Sequence, residues 1–502
     1  MKKLFRYLLY IMPLVLFFSY YPLIKLGENE TMYFELSLPL VWLVVFDVVA
    51  FVLLFKTKRR EVFHKILGGL SWWLFSLFVL ISSFWSLNPV RGVLTSGLLW
   101  LLMLAVAEIH ELREYLTPEF WKVFLRWFFG AALFVCVWCV VQCILDINGV
   151  QQEVTLLCDG CTYKMFGFPH PNGFAIEPQF MGNLLLAPIF CAAAIFCKSS
   201  SRVATARRHG GGALTLALPR SAHSQILQKT SGWLLFAFAT TLFLTFSRGA
   251  IYACVVGMVF LGCFSWFRAK KAERKQVGKN ILKMIGVFVI SFIFALNLQG
   301  AMAAMSPTSD TYKDGVAKVL NQLSLGIIDV RETGVAEENS ALSSDEEPVE
   351  NLEVVENSED KTESAFDGYV AESTDTRVRL FNSALTVWRK DFKTALVGVG
   401  IGGAGQALFD NGFSPAPREI VQNEYASILL ETGLVGVSLF VLLIVLIVKV
   451  ALKAKTAGLI LSLIVAYAVS LCFFSGLPNA LQIILLPGVL IYLQLHPRPA
   501  RL

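Results

Sequence analysis

Charge is what this chain has least of. Only 16% of its 502 residues are Asp, Glu, Lys or Arg, against roughly 25% in soluble domains. With 56% hydrophobic residues, 40 Phe and 11 Trp, that shortage excludes an ordinary water-soluble globule. No basic patch interleaved with exposed aromatics lies outside short loops, so the formal net charge of +6 is not a nucleic-acid surface. There is no internal repeat and no inverted pair of broken helices, features that many transporters carry. No compact loop has calcium-ligand spacing, and Cys158 and Cys161 in "CDGCTYK" lack the two further ligands that zinc requires. The opening "MKKLFRYLLYIMPLVLFF" is not followed by a small-residue cleavage site, so it reads as a first span rather than a leader.

What is abundant is apolar sequence in runs of about 20 residues, the length that crosses a bilayer. Twelve such runs are expected, near 7–25, 36–55, 66–85, 92–108, 123–145, 176–197, 232–247, 250–267, 284–303, 427–448, 457–474 and 480–495. The fold class that follows is an all-α polytopic membrane protein with a large loop between helices 9 and 10. Lys and Arg collect in "KTKRR" at 56–60, in the loop 198–231, in "RAKKAERKQVGKNILK" at 268–283 and in "KVALKAK" at 449–455. The positive-inside bias puts these, and with twelve spans both termini, in the cytoplasm. Most cysteines fall inside spans, where small buried side chains suffice to explain them. Cys158 and Cys161 fall outside, which leaves a local disulfide or two free thiols open and disfavours a catalytic redox role.

The chain divides into 1–303 with nine spans, an extracytoplasmic loop 304–426, and 427–502 with three more. Within the loop, 332–375 is rich in carboxylates and too polar to bury a core, so disorder is expected there. Helical periodicity returns over 376–426: Leu380, Ala384, Val387 and Trp388 share one face, as in an amphipathic helix at a membrane surface. The glycine-rich turn "GVGIGGAG" follows at 398–405.

Ionisable residues beside apolar spans are costly and therefore informative. Arg248, in "TLFLTFSRGAIYACVVG", ends a span on the side where the bias disfavours arginine. It either snorkels to lipid phosphate or clamps a phosphate or pyrophosphate through its planar donors. Arg377 and Arg379 open the amphipathic helix, and Arg379 serves equally well as a surface charge facing the acidic insert. In "MFGFPHPNGFAIEPQFMGNLLL", Pro171 and Pro178 can hold His170, Asn172 and Glu177 at membrane depth. Glu177 and Glu431 also suit helix starts, where the dipole favours carboxylates. Asp47, the one mid-span carboxylate, is the residue a transporter or flippase would use. A non-catalytic envelope scaffold is a third reading.

Four segments in order, "SFWSLNPVRG", "LTFSRGAIYACVVG", "TRVRLFNSALTVW…LVGVGIGG" and "QNEYASILLETGLVG", resemble the successive signatures of the O-antigen ligase and O-antigen or capsule polymerase superfamily. Each is short, and their combination is fairly specific. The resemblance implies a membrane-embedded glycosyltransferase at the outer face of the cytoplasmic membrane. Its partners would be an undecaprenyl-pyrophosphate-linked oligosaccharide donor, a glycan or lipid acceptor and membrane lipids, with no cofactor and no metal. Arg248 matches the arginine of the family's Ser-Arg-Gly motif and Arg377 its loop arginine. Both are expected to stabilise the departing pyrophosphate.

The last motif departs from the family. Where its ligases carry His-Asn, this chain has Gln422-Asn423, and a glutamine amide takes no proton at neutral pH. Glu419, Glu424 and His170 are the candidate bases, with Glu424 favoured because a carboxylate near apolar surface can be tuned toward neutrality. The expected site therefore comprises Arg248, Arg377, Gln422 and Glu424 for the chemistry. Arg379, Asn423, His170, Asn172 and Glu177 are expected to bind substrate.

Overall fold

The computed structural model describes residues 1–18, 22–26, 34–56, 70–158, 160–205, 222–308, 310–324, 369–417, 419–453 and 457–475. The expected last span at 480–495 and most of the acidic insert at 332–375 lie outside the described residues. The long helices are α1 (Lys2–Phe17), α2 (Leu38–Lys56), α3 (Leu70–Ser82), α4 (Pro89–Glu111), α5 (Pro118–Ile147), α6 (Pro178–Thr205) and α7 (Ala222–Leu244). They continue with α8 (Arg248–Arg268), α9 (Arg274–Met305), α10 (Tyr312–Leu323), α11 (Tyr369–Trp388), α12 (Glu424–Lys453) and α13 (Ala457–Ser470). Among the described residues seven helices are long and apolar enough to cross a membrane, and three shorter apolar ones accompany them. The protein is an all-α polytopic membrane protein.

One expected span is shorter than its apolar run. α1 stops at Phe17, and the chain then enters β1 (Pro22–Leu26), which pairs antiparallel with β2 (Phe34–Ser37). The hydrophobic length at 7–25 therefore overstated the helix.

Local signals set several helix starts. Asn88 accepts the Arg91 amide at 3.1 Å with Pro89 at the first turn of α4, and Thr117 accepts from Phe120 at 3.3 Å ahead of Pro118 in α5. In each case a side-chain oxygen takes an orphan N–H and proline supplies the helical φ. α10 opens with a reciprocal Thr311–Asp314 capping box.

In lipid there is little hydrophobic force between helices, so close packing and small residues decide which faces meet. The apolar window of α6 is 89% buried, against 17% in α9 and 11% in α12, so α6 is the centre of the bundle and the other two face lipid. α8 packs chiefly on α13, and α6 meets both. Gly257 makes that crossing possible, since a Cβ there would lie 2.8 Å from the Ala466 methyl and overlap the Phe190 ring.

Asp47 on α2 is 4% exposed and Glu108 on α4 is 0% exposed. The two carboxyls lie side by side at the α2–α4 contact. A transporter would need Asp47 on an open path, whereas here it is packed away against a second acid. Charge in such a place is expensive. The double substitution Asp47→Asn with Glu108→Gln should therefore leave thermal stability in detergent within about 1 kcal/mol of wild type, whereas Glu108→Lys should lower it by more than about 3 kcal/mol. A double variant that unfolds like Glu108→Lys would contradict this account.

Candidate active site

α7 ends at Leu244, and three residues turn the chain into α8. Thr245 Oγ1 donates to Leu242 O at 2.7 Å and accepts from Ser247 N at 3.4 Å, and Ile251 N bonds Ser247 O at 2.9 Å to start the helix. Phe246 is left-handed in this turn, with φ 59°, a conformation that costs a bulky residue about 1–3 kcal/mol. Aromatic packing offsets the cost. The Phe246 ring stacks on His170 at 4.7 Å, and His170 in turn meets Phe166 at 4.1 Å and Phe168 at 5.4 Å. Arg248, the first residue of α8, is 7% exposed. A cation at a helix start opposes the macrodipole, so its place is not explained by helix stability.

His170 is 5% exposed inside this aromatic box, and burial pushes its pKa down to about 3. The imidazole is thus neutral and weakly basic. Asn172 is fully buried. Its amide donates to Leu156 O and Ala175 O, and Gln142 of α5 clamps the neighbouring Gly173 by donating to its carbonyl at 2.9 Å and accepting from its amide at 2.8 Å. Cys158 and Cys161 are joined as a disulfide in the same loop, and Cys161 O accepts the His170 amide at 2.8 Å. His170 and Asn172 are therefore built into the framework of this loop and not onto an open face.

On the other side, α11 buries Leu380, Ala384 and Val387 against Ala404, Leu408, Val421 and Leu430. That packing brings Arg377 to Gln422, whose Oε1 accepts the guanidinium Nε–H at 2.9 Å. Gln422 is itself left-handed, with φ 57°. Asn423 caps α12 by accepting from Ala426 N at 3.0 Å. Glu424, the first residue of α12, is 4% exposed. Glu177 lies just ahead of α6, where its carbonyl accepts from Phe180 and Met181. It is exposed as a residue, yet its carboxyl is desolvated enough to raise its pKa, an effect that Arg377 beside it counters. Arg379, two residues further on, faces outward and is exposed.

These pieces meet at a turn that sequence reasoning did not select, Leu471 to Phe473 after α13. Leu471 O accepts the Glu424 amide at 2.9 Å, Cys472 O accepts from Asn423 Nδ2 at 2.9 Å, and Phe473 O accepts from Gln179 Nε2 of α6. Gly249 lies against the Phe473 side chain, where a Cβ would stand at 2.7 Å. The starts of α6 and α12 are thereby hydrogen-bonded to one short stretch of backbone and the start of α8 packs on its Phe473 side chain, which joins the elements that carry Glu177, Arg248, Gln422 and Glu424, with Arg377 bound to Gln422. The clue in sequence is the break of the apolar run at "SLCFFSGLPN".

A second junction holds the rim. α12 breaks at Gly433 (φ 61°, ψ −167°), a region open essentially to glycine alone. The carbonyls of Leu430 and Glu431 are released by the break and accept the amides of Val399 and Gly400 at 2.9 Å each. The Glu431 carboxylate accepts from Ala404 N at 3.2 Å and lies beside Arg91. It is thus bound at the start of the short helix Ala404–Asp410, not by the start of its own helix. The glycine turn also seats on the segment after α3, with Ser86 Oγ donating to Ile401 O at 2.8 Å.

Residues 233–441 match the family model described as O-antigen ligase. This match supports membership of the O-antigen ligase family. No curated protein matches the sequence. An O-antigen ligase family protein acts in surface glycan transfer as a glycosyltransferase-like membrane enzyme, with lipid-linked glycan and acceptor as its general partners. The O-antigen ligase segment contains Arg248, Arg377, Arg379, Gln422, Asn423 and Glu424. Glu177, Gln179 and the 471–473 turn lie outside it, so the candidate site extends to residues the match does not cover.

Proposed function

We propose that the protein transfers or polymerises a glycan carried on undecaprenyl pyrophosphate, at the outer face of the cytoplasmic membrane and with both termini in the cytoplasm, during surface polysaccharide synthesis. The observation that supports this reading is that Arg377 bonds Gln422 just ahead of α12 while Arg248 opens α8 beside Gly249, and that both of these helix starts meet the 471–473 turn. In the reaction an acceptor hydroxyl oxygen bonds to the anomeric carbon as the bond from that carbon to the pyrophosphate oxygen breaks. The electron pair leaves on the pyrophosphate, and two guanidinium groups oppose the charge that develops. Gln422 contributes by holding the plane of the Arg377 guanidinium through Nε. No metal or cofactor is assigned a part.

The acceptor proton needs a base, and Gln422 is not one. His170 in its box is too weakly basic and too enclosed. Glu424 is nearly closed off, and Asn423 has both ends of its amide engaged, so these two serve to anchor the α12 start. Glu177 is exposed, neighbours Arg377 and has a pKa raised by desolvation, the direction that makes a carboxylate a stronger base. We assign the proton to Glu177. Arg379 on the outward face is assigned to the glycan or its lipid, and His170 and Asn172 hold the loop that presents Glu177.

A base must be deprotonated to act, so the rate should fall on the acid side, at a higher pH than an unperturbed glutamate would give because burial raises the Glu177 pKa. Glu177→Gln should lower product formation about 10²–10⁴-fold and remove that acid limb. An unchanged limb in Glu177→Gln assigns the base elsewhere. Polymerisation and ligation are separated by deleting the gene in its host and running the surface glycans on a gel. Chains cut to one repeat indicate a polymerase, intact chains retained on the carrier indicate a ligase, and unaltered glycan refutes both.

A further inference from the structure

Away from the site, α1 and α5 run side by side and leave an open groove of about 530 Å³. Its walls are Leu14, Phe18, Trp127, Gly130 and Phe134, and among the described residues its one charged residue is Arg126. At Gly130 the space is open, with none of the described residues within 4 Å of where a Cβ would stand. The helices are parallel, as the Tyr10–Phe120 stack at 4.9 Å and the Arg6 Nε bond to Tyr115 O at 2.8 Å align their basic ends.

The level of Arg126 on α5 is informative. α5 has 30 residues and is about 45 Å long, longer than a hydrocarbon core of about 30 Å. Arg126 comes eight residues after Pro118, or about 12 Å along the axis. That is the depth at which a helix passes from headgroups into hydrocarbon. The side chain is exposed, and among the described residues no acid pairs with it. Lys122 stands one turn closer to the basic end on the same face, with Glu119 at the first turn beyond it. Trp127 is 46% exposed beside the arginine, as interfacial aromatics are. An arginine facing lipid at this depth is stable when a phosphate answers it.

We propose that the α1–α5 groove binds an anionic glycerophospholipid from the leaflet on the Lys- and Arg-rich side of the protein. One acyl chain lies along Leu14, Trp127 and Gly130 and fills the empty space there, while the phosphate accepts from the Arg126 guanidinium. Lys122 supplies the second positive charge that favours an anionic headgroup over a zwitterionic one.

The test is native mass spectrometry of the full chain purified in detergent and titrated with phosphatidylglycerol or phosphatidylethanolamine. Wild type should retain one phosphatidylglycerol in preference to phosphatidylethanolamine. Arg126→Gln should weaken that retention about tenfold, Arg126→Lys should keep most of it, and Gly130→Leu should lose it by filling the groove with the charge intact. All three should elute as wild type does on gel filtration, or the variant is replaced by the milder Gly130→Ala. Equal retention of the two lipids would overturn the proposal, as would unchanged binding in Arg126→Gln. Loss in Arg126→Gln with full binding in Gly130→Leu would overturn it too, since the phosphate would then sit on the arginine without a chain in the groove.

Discussion

Arg248→Ala should stop accumulation of the transferred glycan while the protein still reaches the membrane in normal amount. The expected loss is about 10²–10³-fold, the cost of removing one preorganised donor from a developing oxyanion, about 2.7–4 kcal/mol. Size separates this from the bland alternative. An arginine that merely snorkels or makes a surface ion pair is worth about 0.2–1 kcal/mol, which is at most a fivefold effect. The buried position, at 7% exposure and against the helix dipole, argues for the larger figure. Arg248→Lys should recover part of the activity, because charge remains while the planar fork is lost. Quantifying surface polysaccharide and membrane-bound protein in the same cells checks both statements. Normal glycan in Arg248→Ala would remove the arginine from the mechanism.

The largest effect on stability is expected from Gly433→Ala. At φ 61° and ψ −167° an L-residue has no comfortable conformation. A Cβ there would also lie 2.6 Å from Val397 N and overlap the Leu396 carbonyl. Relief would need the helix to close, and closure would withdraw the Leu430 and Glu431 carbonyls from Val399 and Gly400. The cost should exceed about 3 kcal/mol, seen as a large fall in Tm by tryptophan fluorescence in detergent. Gly97→Ala is the control. Its Cβ meets nothing within 4 Å, so removing glycine from the α4 interior should be neutral or should stabilise by up to about 1 kcal/mol. Equal Tm values for Gly433→Ala and wild type would show that the break is dispensable.

Much of the architecture was readable because apolar length and Lys/Arg placement are local properties, and α2, α4, α5, α6, α8, α9 and α12 all carry long apolar runs. The first span shows the limit: the run to residue 25 is mostly apolar, yet the ribbon partner at Phe34–Ser37 takes its end into a strand. Arg248 and Arg377 stood out in sequence as cations in the wrong place. Glu431 was misread because its ligand, the Ala404 amide, is 27 residues away. His170 was legible as a polar residue but not as the floor under Phe246, since three phenylalanines from two segments enclose it. Whether Cys158 and Cys161 pair depends on loop geometry, and the structure joins them.

The 471–473 turn has an evolutionary consequence. Its contacts to Glu424, Asn423 and Gln179 all end on main-chain oxygens, which every amino acid supplies. Point substitutions at Leu471 and Cys472 can therefore drift without loosening the anchor, and a mutational scan would pass over it. A one-residue insertion or deletion would not be tolerated, because it shifts all three acceptors in register. The constraint here is on the count of residues and not on their kind, and comparison of sequences would reveal it as an absence of gaps.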